Sequence, residues 1–213
     1  MPGAYGSGGG ARMRVKRTRG ASVSRMSDDA PANPSPETSP PRPPTEPPQS
    51  LADPAVLLAE YLDYYRATVL AKLDGLSEAE LRRSRLPSGW SPLELLKHLA
   101  YVERRWLRWG FLGEEMDERT AWGDDDPESG RWQVREDESP AQIRDLFARE
   151  CAHSRRIVAA AGLQDRAADT GRFPPPAEPP TLSWILFHVL QEYARHAGHL
   201  DVVRELTDGR VGE

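Results

Sequence analysis

The sequence predicts an all-α protein, a four-helix bundle, over residues 51–213, behind a disordered Pro/Gly-rich extension over residues 1–50. Three observations predict it. Four long stretches repeat apolar residues at the spacing of a helix face, three of them after a capping signal. No convincing pair of strands is present, which leaves helix packing as the way to build a core. The composition also changes abruptly near residue 51, from chain with almost nothing to bury to chain with regular apolar periodicity.

The extension has two parts. MPGAYGSGGGARMRVKRTRG is Gly-rich and basic, and DDAPANPSPETSPPRPPTEPPQS is dense in proline. A basic arm touching nucleic acid or lipid headgroups is the functional alternative to disorder, but no aromatic residues interleave the charges, so neither nucleic acid nor membrane is expected as a partner.

Asp53 followed by Pro54 starts the first helix, where Leu57, Leu58, Tyr61, Leu62, Tyr65, Val69 and Leu73 recur at helical spacing until Gly75. Ser77 and Glu80 form a capping box for a short connector over about 77–83. Ser91-Pro92-Leu93-Glu94 is a second box, opening a helix that runs to about Phe111. The acid-rich segment 113–138 follows, with Trp122 and Trp132 and no helical periodicity, so it is expected to be a loop. Ser139-Pro140-Ala141-Gln142 opens the third long helix, which ends at Ala161 before Gly162. A proline-rich loop containing FPPPAEPP leads to the fourth, from about Leu182 to Thr207, closed by Gly209.

Length and composition bound the function classes. The 213 residues suit one domain with appendages. A net charge of -5 gives no chain-wide basic footprint for nucleic acid. The single cysteine, Cys151, excludes an internal disulfide and any multi-cysteine metal cage, and is expected to be a small buried residue. No apolar run approaches the roughly 20 residues that span a bilayer, and RMRVKRTR is not followed by the apolar core of a secretory signal. The expected compartment is the cytoplasm.

The fourth helix carries a polar stripe where its core face should be. With about 100° per residue, Ile185, Val189, Leu200 and Val203 fall within about 80° of Glu192, while Asp201 and Ala194 point away. His188, His196 and His199 share the Glu192 face. An ionised carboxylate buried there needs a cation, a proton or a hydrogen-bond network. Glu192 and His196, one turn apart, are spaced to hold one metal ion or to hydrogen-bond each other. His98 on the second helix shares a face with Leu95, Val102 and Trp109, so a further nitrogen points inward. His98, Glu192 and His196 thus form a three-donor set that would leave a metal position open to water or substrate.

With these residues, the chain resembles the DinB-like metal-binding four-helix superfamily. The resemblance rests on GWSPLELLKHLAYVERRWLRWGFLGE and EYARHAGHLDVVRELTDG and extends over about residues 51–213. It implies a metal held by one His of the second helix and a pair on the fourth, which are His98, Glu192 and His196 here. The commoner pattern of the superfamily has His where this chain has Glu192. Glu at that place is similar to the mycothiol-dependent maleylpyruvate isomerase branch and its N-terminal domains, which implies chemistry on mycothiol, a low-molecular-weight thiol. The implied cofactor is a divalent metal, Zn²⁺ first, with Ni²⁺ or Fe²⁺ also suited to nitrogen and oxygen donors.

Other residues carry alternatives. His199 stands where many such relatives have Gln and is a candidate fourth ligand, general base or hydrogen-bond donor behind a ligand. His188 is expected to pack in the core or bond the ligand carboxylate, and His153 to face solvent. Arg104 and Arg105, beside Trp106 and Trp109, form either a solvated charged face or a receptor for an anionic group. Trp122 and Trp132 are a lid or core plugs. The leading function is a metal-dependent thiol transferase or isomerase acting on a small electrophile, with Arg105 or His199 handling substrate. The alternatives are a non-catalytic metal-binding or stress-response protein and a metal-free interaction module. Exposed apolar residues of the first helix would allow a homodimer.

Overall fold

A computed structural model describes residues 44–123, 125 and 132–212. The expected disordered extension therefore lies, up to residue 43, outside the described residues, as does part of the acid-rich segment. The regular structure of the described chain is helical: α1 Pro54–Leu73, α2 Glu78–Leu81, α3 Pro92–Glu103, a π-helical segment Arg104–Phe111, α4 Glu118–Trp122, α5 Pro140–Ala160 and α6 Leu182–Asp208. Its β-structure is a single isolated bridge between Arg166 and Thr181. No helix among the described residues is long and apolar enough to cross a membrane.

Each long helix begins where a side chain takes over an orphan amide. Asp53 Oδ1 accepts from the Ala55 and Val56 amides. Ser77, Ser91 and Ser139 form complete capping boxes with Glu80, Glu94 and Gln142. Thr181 accepts from the Trp184 amide, and Gly209, at φ 75°, ends α6 in the left-handed conformation that a side chain would disfavour. Since α3 carries His98, its cap matters to the site. Ser91→Ala is expected to cost about 1 kcal/mol, read as a lower urea midpoint with an unchanged slope.

Two features depart from the sequence reading. The second long helix reaches Phe111 as expected, but its last eight residues are π-helical, with the Leu112 amide bonding back five residues to the Leu107 carbonyl at 3.0 Å. The acid-rich segment is also not wholly a loop. Asp117 accepts from the Thr120 amide and starts the five-residue α4, a helix too short to show periodicity in sequence.

In the bundle, α1 lies on α6, and α3 lies on both α5 and α6. Leu62, Val69, Leu95, Leu99, Phe147 and Leu200 belong to one apolar core. A buried polar knot crosses its centre. Arg66 of α1 holds Glu103 of α3 with two hydrogen bonds, Nε to Oε1 at 2.8 Å and Nη2 to Oε2 at 2.9 Å. The Tyr193 hydroxyl of α6 donates to the same Oε1 at 2.7 Å, and Cys151 Sγ of α5 lies 3.7 Å from it. Burial raises the proton affinity of Glu103, but the Arg66 charge and the donated hydrogen bonds outweigh it and hold the carboxyl below its usual range. One carboxylate thus ties all four long helices in register.

Candidate metal centre

The walls of the site are α3 and α6. Leu95, Leu99 and Val102 face the core, and the same helix face carries His98, which is 9% exposed. On α6 the buried residues Val189, His196, Leu200 and Val203 mark the inward face, with Glu192 at its edge. One ligand atom from each of His98, Glu192 and His196 lies within 4.8 Å of the others. Glu192 Oε2 is 3.2 Å from His196 Nε2 and 3.8 Å from His98 Nε2.

Proton placement decides what the cluster can do. His98 Nδ1 lies 2.9 Å from Asp125 Oδ2, and a carboxylate can only accept, so this nitrogen carries the proton. Nε2 is then left with a lone pair, buried, without a hydrogen-bond partner, and turned toward Glu192. An orphaned buried acceptor of this kind is costly unless a cation or proton meets it. His196 Nε2 lies 3.2 Å from Glu192 Oε2, which can only accept, so this nitrogen donates there and Nδ1 accepts from His199 Nδ1 at 3.2 Å; an ion between them would take the place of that proton. The residues fit a divalent ion: two imidazole nitrogens and one carboxylate, with Asp125 orienting His98 from behind.

The electrostatics agree with that chemistry. The hydrogen bond with His196, and then the His98 ring, hold the Glu192 carboxyl well below the usual carboxylate range, against the opposing effect of its burial. Burial lowers His196, although Glu192 pulls the other way. A depressed Glu192 carboxyl and a depressed His196 imidazole are the directions metal binding requires, since a ligand must give up its proton.

Aromatic rings line the surroundings. Trp132 stacks on His98 with centroids 4.1 Å apart and meets His196 edge-on at 5.0 Å. Trp90 lies 5.4 Å from His199. On the other flank Trp106 lies 4.2 Å from His188, whose Nε2 is 3.6 Å from Glu192 Oε1. Arg105 is 4% exposed and donates from Nη1 to Asp125 Oδ2 at 2.8 Å, the same oxygen that accepts the hydrogen bond from His98. Arg104 binds Glu150. The pair is therefore no solvated face, and Arg105 joins the cluster through Asp125. His153, on α5, is half-exposed and makes no part of the site.

The structure brings His98, Glu192 and His196 together, with His199 and His188 against them and Arg105 one residue behind. Sequence reasoning missed Asp125 and Arg172. Asp125 sits in the run GDDDPE, where nothing distinguishes one acid from its neighbours. Arg172 lies in the loop before α6, and its guanidinium is 4.3 Å from the Trp106 ring centre. Asp125→Asn, which keeps the size and removes the charge, is expected to weaken divalent-metal affinity about 10- to 100-fold, measured by competition with a chromophoric chelator.

Comparison with known proteins gives one family: the model described as mycothiol-S-transferase matches residues 57–209. No curated protein matches the chain.

Proposed function

Because the chain belongs to the mycothiol S-transferase family, we propose that it is a metal-dependent enzyme that transfers a low-molecular-weight thiol of the mycothiol type to a small electrophile. The observation that carries the metal part is His98: its Nδ1 is committed to Asp125, and its unpartnered Nε2 faces Glu192 and His196.

In this reading His98, Glu192 and His196 hold one divalent ion, Zn²⁺ first, with Ni²⁺ and Fe²⁺ suited to the same donors. When bound, the ion supplies an open position at which a thiol loses its proton near neutral pH and becomes nucleophilic. The chain's own residues do the rest. Asp125 fixes the tautomer of His98, and Arg105 holds Asp125 in place with a hydrogen bond. His199, half-buried against Trp90 and hydrogen-bonded to His196, is the group we assign to take up the thiol proton. Trp132 and Trp90 cover the histidines and exclude water from that side. The working unit is the bundle, residues 51–213, with 1–50 as an extension.

The test is the absorption spectrum of Co²⁺-substituted protein during a titration with mycothiol. A saturable new band from sulfur bonded to Co²⁺ is expected. Co²⁺ that binds stoichiometrically but ignores the thiol would instead indicate an ion that only joins α3 to α6, and the transferase reading would fall.

A further inference from the structure

Arg172 is the charged side chain near the site that the mechanism does not use. Its guanidinium lies 4.3 Å from the ring centre of Trp106, 5.7 Å from that of Trp109 and 5.8 Å from that of Trp122. No hydrogen bond or ion pair engages it among the described residues. The indole faces stabilise a cation, but they accept none of the five N–H donors in the guanidinium plane. Arg105 stands nearby and already has its carboxylate in Asp125. Asp125 and, at longer range, Glu192 act on Arg105, and neither is hydrogen-bonded to Arg172 among the described residues. Burial, and then Arg105, lower the Arg172 pKa to about 10, so the charge is held at a cost that a counter-ion would remove.

The backbone holds this cation in position. The Arg172 amide donates to the Trp109 carbonyl at 3.3 Å, and the Ala168 amide to the Phe111 carbonyl at 2.9 Å. Gly171, at φ 59°, lies so close to Trp109 that any side chain there would collide with its carbonyl oxygen. The loop is therefore docked on the π-helical segment, whose Trp106 and Trp109 flank the guanidinium. Trp106 also touches His188, which adjoins Glu192. A cation with free donors thus lies beside the centre, separated from its carboxylate by two side chains.

We propose that Arg172 and the indoles around it form a subsite for a carboxylate group on a small planar reactant, so that the electrophile this protein accepts is an anionic one. The subsite rests on the reading of His98, Glu192 and His196 as the reacting centre. The guanidinium fork matches a carboxylate with two parallel hydrogen bonds, and the flanking indoles accept a flat unsaturated body next to it.

Benzoate and benzamide, the same shape with and without charge, test this by quenching of tryptophan fluorescence in the metal-loaded protein. Benzoate is expected to bind at least about 10-fold tighter than benzamide, as a charge-assisted hydrogen bond implies. That preference should fall to within about 2-fold in Arg172→Gln and persist, reduced, in Arg172→Lys. Saturation of the ion with 2-mercaptoethanol should leave benzoate bound. Equal binding of the two probes to the wild type, an undiminished preference in Arg172→Gln, or displacement of benzoate by the thiol would each overturn the subsite. The probe comparison on wild-type protein needs no variant to fold. Metal content measured in Arg172→Gln is expected to equal that of wild type, so loss of the subsite and loss of the metal centre are read separately.

Discussion

His196→Ala is expected to reduce the metal in purified protein from about one ion per chain to almost none, with affinity lowered by more than the roughly 100-fold that a residue behind the ligands can cause. The reason is geometric. His196 contributes one of the two nitrogens of the cluster, and no other described His or acidic residue completes a three-donor cluster with His98 and Glu192. Glu192→Gln makes the same point without a cavity, because the amide keeps the volume and a hydrogen bond to His196 but removes the charge. If the cluster were only a buried Glu-His hydrogen bond, that variant would change nothing in an elemental analysis. Stoichiometric metal in both variants would show that the ion, if any, sits elsewhere.

Cutting the polar knot should have the largest effect on stability. Arg66 is 4% exposed and Glu103 is fully buried, so Arg66→Met leaves Glu103 as an uncompensated charge in the core, while Glu103→Leu leaves Arg66 with only the half-exposed Asp63, 2.7 Å from its Nη1. The expected cost of Arg66→Met is about 3–5 kcal/mol, and that of Glu103→Leu is smaller, both measured from urea midpoints. The double variant should recover part of that loss, since no buried charge then remains, though the Tyr193 hydroxyl still loses its acceptor. A double variant as unstable as the sum of the singles would mean that the residues act independently. The pH dependence follows from the direction of the Glu103 shift. Its folded pKa is depressed, so its contribution is present above the unfolded carboxylate value of about 4.3 and is lost as pH falls through that value toward the folded one. Wild type should therefore lose more stability than the double variant between about pH 5 and pH 3.

What could be read from the sequence was local or periodic. The Ser77, Ser91 and Ser139 boxes involve residues three apart, and each is present as expected. His98, Glu192 and His196 were found because a polar residue on an otherwise apolar helix face is conspicuous. Arg66 occupies the same kind of position, between Leu62 and Val69, yet a lone arginine beside half-buried tyrosines gives no hint of a partner 37 residues away on α3. Asp125 reaches His98 across 27 residues from a run of equivalent acids. The π-helical hydrogen bonds of Arg104–Phe111 shift by one residue, which side-chain pattern does not encode.

Cys151 has a consequence for a protein of this family. The thiol is 2% exposed, and burial, with the Glu103 charge beside it, raises its pKa far above the usual range. Only a thiolate exchanges with disulfides or is alkylated at a useful rate. In the proposed role, among reactive thiols and electrophiles, the chain therefore keeps its own sulfur protonated and out of reach. It is protected from mixed disulfides with the oxidised cofactor and from modification by the compounds it would help to conjugate.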